Sequence, residues 1–484
     1  MAAGNHTGQR GTFSYQELAS DPGSQSPLVT DGNVAALAAF IERELYTAGI
    51  VQGNPVRKLF EDSFSVFGHD SWQVNSKLNL NLRLRYDSTS PVHDGKQDLS
   101  TFLPSHGLVL AGARLKSLYP RDWTNLGPRG GFAYQPNADG GLAIRGAFGV
   151  YFDKVNVSPF LGNSFIYNGG PNGVEENPIG TNPAISVSLQ PGTLLPSDGS
   201  PIFAQASAGG FATIYSVSQN FHSPCTYNCD LNIQQALGKS AAFELGYVGS
   251  QSCHLLQLVD LNQAVLGSDF NPADFDTNGT NTPRPYYAKF SNHGVVDELQ
   301  TWTNSNYNSL QASLRIHAWH GIASQLHYTW AHTLDMSSFG GAPQDSTNPD
   351  GDYGNSDFDT RNNFTAFFQY EVPSGECGLK WLTKGWTTNS TLSFRSGLPF
   401  SLDAIGDWSG TSENLDHPGL IGRPYAGTFH QATSSGVYWF NAYAFAFPNP
   451  GSFGTFRRNQ LYGPGFGDVD LSVVKTTQVT ERVR

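Results

Sequence analysis

The sequence has 484 residues, of which 13% are aromatic and only 14% are charged, and its formal net charge is −12. Few charges combined with many aromatic residues exclude a disordered acidic chain, and the 53 glycines argue against a long coiled coil. Because no basic run is present that would neutralise phosphates, nucleic acid is excluded as a partner. No apolar run approaches the roughly 20 residues of a membrane-spanning helix, and the first residues contain no apolar leader.

The predicted elements are almost all β-strands. Residues 1–56 are predicted to form an irregular segment and loop with one weak strand at 11–15, followed by a barrel domain at 57–484. Alternating apolar and polar residues, separated by Gly, Pro and Asn clusters, mark the strands of that domain. The predicted strands are 57–73, 78–88, 129–136, 142–153, 226–237, 241–250, 307–318, 322–334, 361–372, 386–401, 468–475 and 479–484.

The alternation separates a charge-free apolar face from a polar face. In residues 78–87, for example, Leu78, Leu80 and Leu82 share one side, whereas Arg83 and Arg85 lie on the other. Five alternating positions cover about 10 residues, or about 33 Å of strand, which a tilt near 45° projects to about 24 Å. This length matches the roughly 25 Å apolar band of an outer-membrane barrel better than it matches an ordinary globular strand.

The connections between predicted strands alternate between short and long. Tight links such as 74–77, 238–240 and 319–321 alternate with long links such as 154–225 and 251–306. This order predicts an all-β fold: a transmembrane antiparallel up-and-down β-barrel with short periplasmic turns and long extracellular loops. The strand beginning near 479 would run outward, so we expect the barrel to be incomplete at the C-terminus.

Several stretches also carry a family resemblance, and they occur in family order across most of residues 57–484. They include the segments at 67–87, 126–153, 245–255, 307–316, 326–335, 356–364 and 396–400, and GPGFGDVDLSVVK near the end. Together they resemble TonB-dependent outer-membrane receptors, in particular the Oar-like branch. The sequence shows no plug domain, TonB box, signal peptide or aromatic-ended final strand of that family.

The resemblance implies both a fold and a function. It implies that about 12–14 strands of a 22-stranded barrel are present and that a separate plug domain fills the pore. The intact receptor would lie in the outer membrane of a Gram-negative type of cell, among outer-membrane lipid. It would import a bulky scarce nutrient (siderophore, oligosaccharide or peptide) with energy relayed by the TonB complex.

Charged residues on the polar sides of the strands are candidate lumen residues: Arg83, Arg85, Arg145, Arg315 and Glu371. One interpretation is a charged wall that contacts the plug or an anionic substrate. The other is that these side chains belong to a generally polar, wet lumen.

Two cysteines are candidates for a disulfide. Cys225 and Cys253 are equidistant from Lys239 at the turn of the predicted 226–250 hairpin, so they would face each other at its loop end. The alternative is two unrelated thiols. The acidic stretch 345–359 lacks the spacing of a calcium loop and is predicted to be a solvated loop.

No catalytic triad, phosphate loop or carboxylate pair stands out, so we expect no enzyme, no cofactor and no metal. The rival interpretation is a soluble secreted β-rich adhesin or glycan-binding protein, whose apolar strand faces would be buried between two sheets. A third is a non-functional gene fragment. Whether a second protein layer covers the apolar faces discriminates the barrel from the soluble sandwich.

Overall fold

A computed structural model describes backbone and side chains for residues 58–95, 99–137, 140–163, 213–268, 284–291, 293–317, 319–373, 384–413, 415–426 and 436–477, and the backbone alone at 318. Additional strand backbone is described at 2–3, 12–14, 44–45, 47–53, 57, 166–169, 174–176, 184–189, 193–194, 212 and 431–433. The predicted strand at 479–484 and Cys377 lie outside the described residues.

Eleven long strands form the main sheet. In chain order they are β1 (Ser63–Asn75), β2 (Leu78–Thr89), β3 (Leu126–Tyr134), β4 (Leu142–Phe152), β5 (Cys225–Leu237), β6 (Ala241–Asp260), β7 (His293–Trp319), β8 (Ile322–Asp335), β9 (Asn362–Glu371), β10 (Trp386–Arg395) and β11 (Phe466–Lys475). Each strand pairs antiparallel with the next along the chain. The predicted up-and-down antiparallel architecture is therefore confirmed. Within the described residues β1 and β11 do not pair, so the barrel is open along this seam.

Shorter elements decorate the loops and the N-terminal segment. The strands are Ala2–Ala3, Thr12–Ser14, Glu44–Leu45, Thr47–Gly53, Arg57–Phe60, His93–Asp94, Ser100–Leu103, Gly107–Leu110, Ile166–Gly169, Val174–Glu176, Ala184–Leu189, Thr193–Leu194, Ala212–Val217, Gly354–Asn355, Pro399–Phe400, Gly419–Leu420, Gln431–Thr433, Gly436–Tyr438, Phe445–Ala446 and Leu461–Tyr462. Single 3₁₀ turns occupy Ser158–Leu161, Pro349–Asp352 and Ala442–Ala444. No helix among the described residues is long and apolar enough to span a membrane.

The N-terminal segment holds more strand than predicted. Thr12–Ser14 matches the expected weak strand, and it pairs with Thr47–Gly53, which was expected to be irregular. Thr47–Gly53 also pairs with Ala184–Leu189, a strand inside the long link between β4 and β5.

The strand register aligns apolar side chains across the sheet. One ladder row runs through nine strands, from β2 to β10: Leu78, Tyr134, Ile144, Ile233, Leu245, Ala312, Tyr328, Phe364 and Phe394. Large apolar side chains on this face are exposed, for example Leu310 at 43% and Leu471 at 69%. Among the described residues no second protein layer covers this face, which contradicts the soluble sandwich and fits a lipid-facing surface.

The neighbouring ladder row faces the other way and is polar or small. It contains Asn79, Ala133, Arg145, Asn232, Gly246, Gln311, Thr329, Asn363 and Arg395. A one-residue slip would exchange these two rows, so the apolar face fixes the register. We call this second surface the polar face.

The two ends of the sheet differ as the sequence predicts. At the turn end, β7 and β8 are joined at His320 and Gly321, whose φ values of 50° and 82° allow a tight hairpin. A Cβ on Gly321 would lie 2.7 Å from the carbonyl oxygen of Glu371, so glycine is required there. At the opposite, loop end, the chain forms long connections.

The hairpin of β6 and β7 extends far beyond its neighbours. Its ladder continues to the pair Asp260 and Asp297. The sequence instead predicted that the first strand ends at 250 and that the second begins at 307. The 20 residues of β6 measure about 66 Å, or about 47 Å along the membrane normal at a 45° tilt. Nearly half of this length therefore lies outside the roughly 25 Å apolar band.

The buried core lies in the loops around this projection. We call the described residues of the long links (90–125, 153–224, 261–292, 336–361 and 396–465), together with 254–260 of β6 and 293–304 of β7, the loop layer. One buried cluster comprises Leu59, Val92, Leu99, Leu118, Tyr119, Val155, Phe160, Val217, Phe221 and Leu299. A second comprises Phe102, Ile214 and Val296. The loops are therefore a packed layer at the loop end of the sheet.

Candidate functional site

The five candidate lumen residues all lie on the polar face, but they do not form one cluster. Arg145 donates from Nη1 to Oε1 of Gln234 at 2.9 Å. Arg315 and Glu371 lie towards the turn end, opposite Ala242 and Thr387 respectively. Arg83 and Arg85 lie towards the loop end. The charged residues of the polar face are therefore spread along the strands, from the turn end to the loop end.

Cations accumulate at the loop end of the polar face. Arg83 of β2 lies directly opposite Arg129 of β3 in the ladder. Two like charges in directly opposed positions disfavour the sheet unless another group compensates them. Arg85 is compensated, because its Nε lies 2.8 Å from Oδ2 of Asp87 and its Nη2 donates to Oγ of Ser65 at 3.0 Å.

A cavity of about 370 Å³ lies between these strands and the loop layer; we call it the mouth pocket. Arg85, Arg129 and Lys154 supply its positive charges, and Asp87 and Asp153 its negative charges. The Arg129 guanidinium carbon is 4.0 Å from the centre of the Tyr151 ring, an arrangement that orients the guanidinium over the aromatic face. The Lys154 ammonium donates to Oγ of Ser63.

A larger open depression of about 540 Å³ lies elsewhere on the sheet. Its lining includes Leu82, Leu84 and Phe148 on the apolar face. Because this face contacts lipid, the depression does not suit a water-borne ligand.

Buried ion pairs hold the loop layer together. Arg284 donates from Nη1 to Oδ2 of Asp260 at 2.7 Å, deep within the layer. Asp297 lies opposite Asp260, and burial together with the charge of Asp260 raises its pKa to about 7. Burial and the same neighbour also raise the pKa of Glu413. The layer therefore contains more carboxyl groups than this arginine balances, which favours their protonated forms.

The acidic stretch 345–359 is only in part the solvated loop that we predicted, since Asn348, Asp350 and Gly351 are exposed but other residues are not. Asp352 and Asp359 are buried, and Asp359 accepts from the backbone N–H of Thr333 at 2.7 Å and pairs with Arg361. Asp335, at the end of β8, pairs with Arg458 from the link before β11. Buried partners on distant segments, which local spacing does not reveal, account for the difference.

The hairpin of β5 and β6 brings several sulfur and nitrogen donors together at its loop end. Cys225 and Cys253 face each other in the ladder with a Cα separation of 5.2 Å, and a disulfide joins them. The ring of His254 lies 5.0 Å from that of His222 and nearly parallel to it. Nδ1 of His222 lies 3.4 Å from Oδ2 of Asp122.

Arg129, Lys154 and the pair of Asp260 and Arg284 were not identified from the sequence, for two different reasons. Arg129 lies on the same face of the sheet as Arg83. Extending the alternation of apolar and polar residues through β3 would therefore have identified Arg129 as a residue of the polar face. Lys154 and the pair of Asp260 and Arg284 lie in loops without a periodic pattern. Only the folded chain brings those residues together.

Comparison with solved structures gives only distant similarity. The chain resembles the copper transporter OprC (9% identity, 90% of this chain, 41% of that chain, TM-score 0.39). It also resembles the FrpB iron transporter from Neisseria meningitidis, F3-3 variant (12% identity, 87% of this chain, 40% of that chain, TM-score 0.38). A third similar structure is that of the pyoverdine outer membrane receptor FpvA from Pseudomonas aeruginosa PAO1 bound to pyoverdine (9% identity, 72% of this chain, 34% of that chain, TM-score 0.36). The chain spans less than half the length of each of these.

Comparison with known families gives a match over nearly the whole chain. No curated protein matches the sequence. The family described as outer membrane beta barrel domain matches residues 2–484. With the up-and-down strand order and the uncovered apolar face, this match identifies the chain as a member of the outer membrane β-barrel domain family, located in the outer membrane.

Proposed function

We propose that this chain forms the wall and the extracellular vestibule of a TonB-dependent receptor of the Oar-like type. In this proposal a plug domain closes the pore, the TonB complex supplies energy, and a bulky ligand is taken up. The observation that carries the proposal is the cationic end of the polar face, directly beneath a packed loop layer. Such a layer offers a preformed concave surface, which lowers the entropic cost of capturing a large ligand.

The proposal assigns the ligand an anionic group that contacts the mouth pocket. Arg129 faces Arg83 with no carboxylate directly opposite, and Lys154 adds a third cation nearby. An anionic group in the mouth pocket would compensate Arg129, as Asp87 does for Arg85; Arg83 does not line this pocket. Siderophores, acidic oligosaccharides and acidic peptides all carry such groups. The lumen roles of Arg83, Arg85, Arg145, Arg315 and Glu371 belong to the same proposal: a charged wall along the ligand path.

Equilibrium binding to the purified protein in detergent micelles tests the charge requirement. We would use a ferric tris-catecholate complex and a polygalacturonate oligosaccharide as anionic probes and a neutral maltooligosaccharide as reference. At least one anionic probe should bind in a salt-sensitive way, and Arg129→Gln with Lys154→Gln should weaken it about tenfold or more. Arg114→Gln, on an exposed part of the loop layer, is the matched control. Equal binding of the neutral probe, or no effect of the paired substitution, would contradict the proposal.

TonB coupling needs a separate experiment in the native cell. Deletion of TonB should abolish accumulation of the ligand while leaving surface binding intact. Undiminished accumulation would contradict a TonB-dependent role and favour passive diffusion through the barrel.

A further inference from the structure

The loop end of the β5–β6 hairpin concentrates groups that bind metal ions. The Sγ atoms of Cys225 and Cys253 and a ring nitrogen of His254 lie within 4.8 Å of one another. Cys225 is buried, and the other two residues are half-buried. Thiolate and imidazole are the ligands of tetrahedral zinc sites, in which sulfur and nitrogen atoms are about 3.5 Å apart. His254 therefore already lies close to ligand spacing from the two sulfurs, which are bonded to each other in the structure.

A backbone irregularity brings His254 into this group. Successive residues of a strand point to opposite faces, so a regular strand would turn His254 away from Cys253. The ladder instead shifts register between Ser252 and Leu255, and His254 adopts a φ of 55°. Bulges re-aim side chains, and a positive φ at a residue other than glycine is retained where the surroundings require it. The bulge thus places the imidazole beside both sulfurs.

A second histidine lies beside His254. The ring of His222 is 5.0 Å from that of His254, outside the close group of the two sulfurs and His254, and its Nδ1 lies 3.4 Å from Oδ2 of Asp122. Asp122 is itself held by the backbone N–H groups of Thr124 and Ser223, at 2.9 and 3.0 Å. A carboxylate behind a histidine is the usual outer support of a metal-bound imidazole, because it fixes the tautomer and the orientation of the ring.

We propose that these residues form a redox-gated site for a thiophilic cation of the Zn²⁺ type. The ligands are the thiolates of Cys225 and Cys253 and the imidazole of His254; a shift of the neighbouring His222 ring, with Asp122 as outer support, would bring in its Nε2 atom as the fourth. A thiol reductant first opens the disulfide: one Cys–Cys bond and two reductant thiols give two cysteine thiols and one reductant disulfide. Binding of Zn²⁺ then releases two protons as both thiols become thiolates.

The disulfide and the metal exclude each other, because the same two sulfurs serve both. In an oxidising exterior the hairpin is closed by the covalent bond. In a reducing exterior the cation replaces that bond and additionally ties in His222, which lies in the link before β5. The loop end of the β5–β6 hairpin is thus cross-linked in both the disulfide-bonded and the metal-bound state, but only the metal-bound state also holds the link that contains His222.

Cobalt titration of the full chain in detergent micelles tests the site without any activity assay. Protein reduced with a phosphine under anaerobic conditions should bind one Co²⁺ per chain and show a thiolate-to-cobalt charge-transfer band, which Zn²⁺ should displace. Oxidised protein should show no such band. This comparison needs no substitution, so it remains decisive even if a cysteine variant fails to fold. A reduced protein without the band would overturn the proposal.

Variants then test the individual ligands. His254→Ala and His222→Ala should each weaken cobalt binding by at least about tenfold, and Asp122→Asn by about tenfold. The double variant Cys229→Ser/Cys377→Ser, which removes the other two cysteines, should retain the band unchanged. Loss of the band in this double variant, or an undiminished affinity in His254→Ala, would assign the metal to other residues and overturn the proposal.

Discussion

Arg284 reaches across the loop layer and donates to Asp260 at 2.7 Å, with side-chain exposures of 3% and 1%. The same guanidinium also donates to the backbone carbonyl of Asn262 at 2.9 Å. Asp260 in turn accepts from the backbone N–H groups of Asn262 and Val296, both at 2.8 Å. These contacts bind the ends of β6 and β7 to the link between them.

Replacement of Arg284 by Met should loosen the loop layer without unfolding the barrel. Removal of one partner from a buried pair leaves an uncompensated charge on Asp260, which costs about 3–5 kcal/mol. Hydrogen exchange of residues 256–264 and 293–300 should accelerate accordingly. Arg114→Met, at an exposed position, is the control and should leave exchange unchanged. Equal protection in both variants would contradict the role assigned to the pair.

The loop layer should become less stable as the pH rises. Asp297, whose side chain lies in the part of β7 beyond the membrane, has a folded pKa of about 7, and that of Glu413 is also raised. Ordinary carboxyl pKa values near 4 describe the unfolded state, so the folded layer binds more protons between the two values. The stabilisation is complete below pH 4 and is lost as the pH passes through about 7 and higher.

Limited proteolysis of the loops between pH 5 and pH 8 measures this dependence. We expect a loss on the order of 2 kcal/mol over that range. The groups that face Asp297 are Asp260, Arg284 and Glu413. Asp297→Asn, which imitates the protonated carboxyl, should flatten the profile. A layer that tightens with rising pH would show that Asp297 is ionised in the folded state.

A charge placed on the apolar face should be far more harmful than the same charge one residue away. Leu310 and Gln311 are adjacent in β7 but lie on opposite faces. Leu310→Arg should destabilise the folded barrel by about 2–4 kcal/mol, because its guanidinium would enter hydrocarbon. Gln311→Arg joins a row that already contains Arg145 and should be nearly neutral. Urea unfolding in lipid vesicles, followed by heat-modifiable gel mobility, measures both, and equal effects would contradict the assignment of the faces.

The turn at Gly321 should tolerate no side chain. Gly321→Ala forces a Cβ to within 2.7 Å of the Glu371 carbonyl oxygen at a φ of 82°, and we expect a cost of about 1–3 kcal/mol. Gly341 lies in a loop where a Cβ would meet nothing within 4 Å, so Gly341→Ala serves as the control. Comparable folding yields of the two variants would show that the hairpin can rearrange.

Most of the main sheet could be predicted because alternation is a local signal. Residues 78–88 were predicted as a strand, and β2 spans Leu78–Thr89. The sequence also predicted that Cys225 and Cys253 face each other, because the length of the turn centred on Lys239 fixes the register of the two strands. Segment 57–73 was wrong in detail, because Arg57–Phe60 pairs with other short strands and β1 begins only at Ser63.

The loop layer could not be predicted in the same way. Residues 251–260 do not alternate regularly, because both faces of the projecting hairpin are covered by loops and no single solvent face imposes a period of two. The burial of Asp359 depends on Arg361 and on the backbone of Thr333, and that of Asp260 on Arg284. The mouth pocket combines β2, β3 and the start of the next link, so its cations have no common sequence motif.

The bulge in the ladder of β6 and β7 has a mechanical consequence. The ladder runs from the turns near Lys239 and His320 to the buried carboxyls at Asp260 and Asp297, with register shifts between Ser252 and Leu256. A ligand that displaces the outer tip would therefore bend the hairpin first at these irregular residues. The regular part of the hairpin, within the membrane, would keep its place while the tip moves.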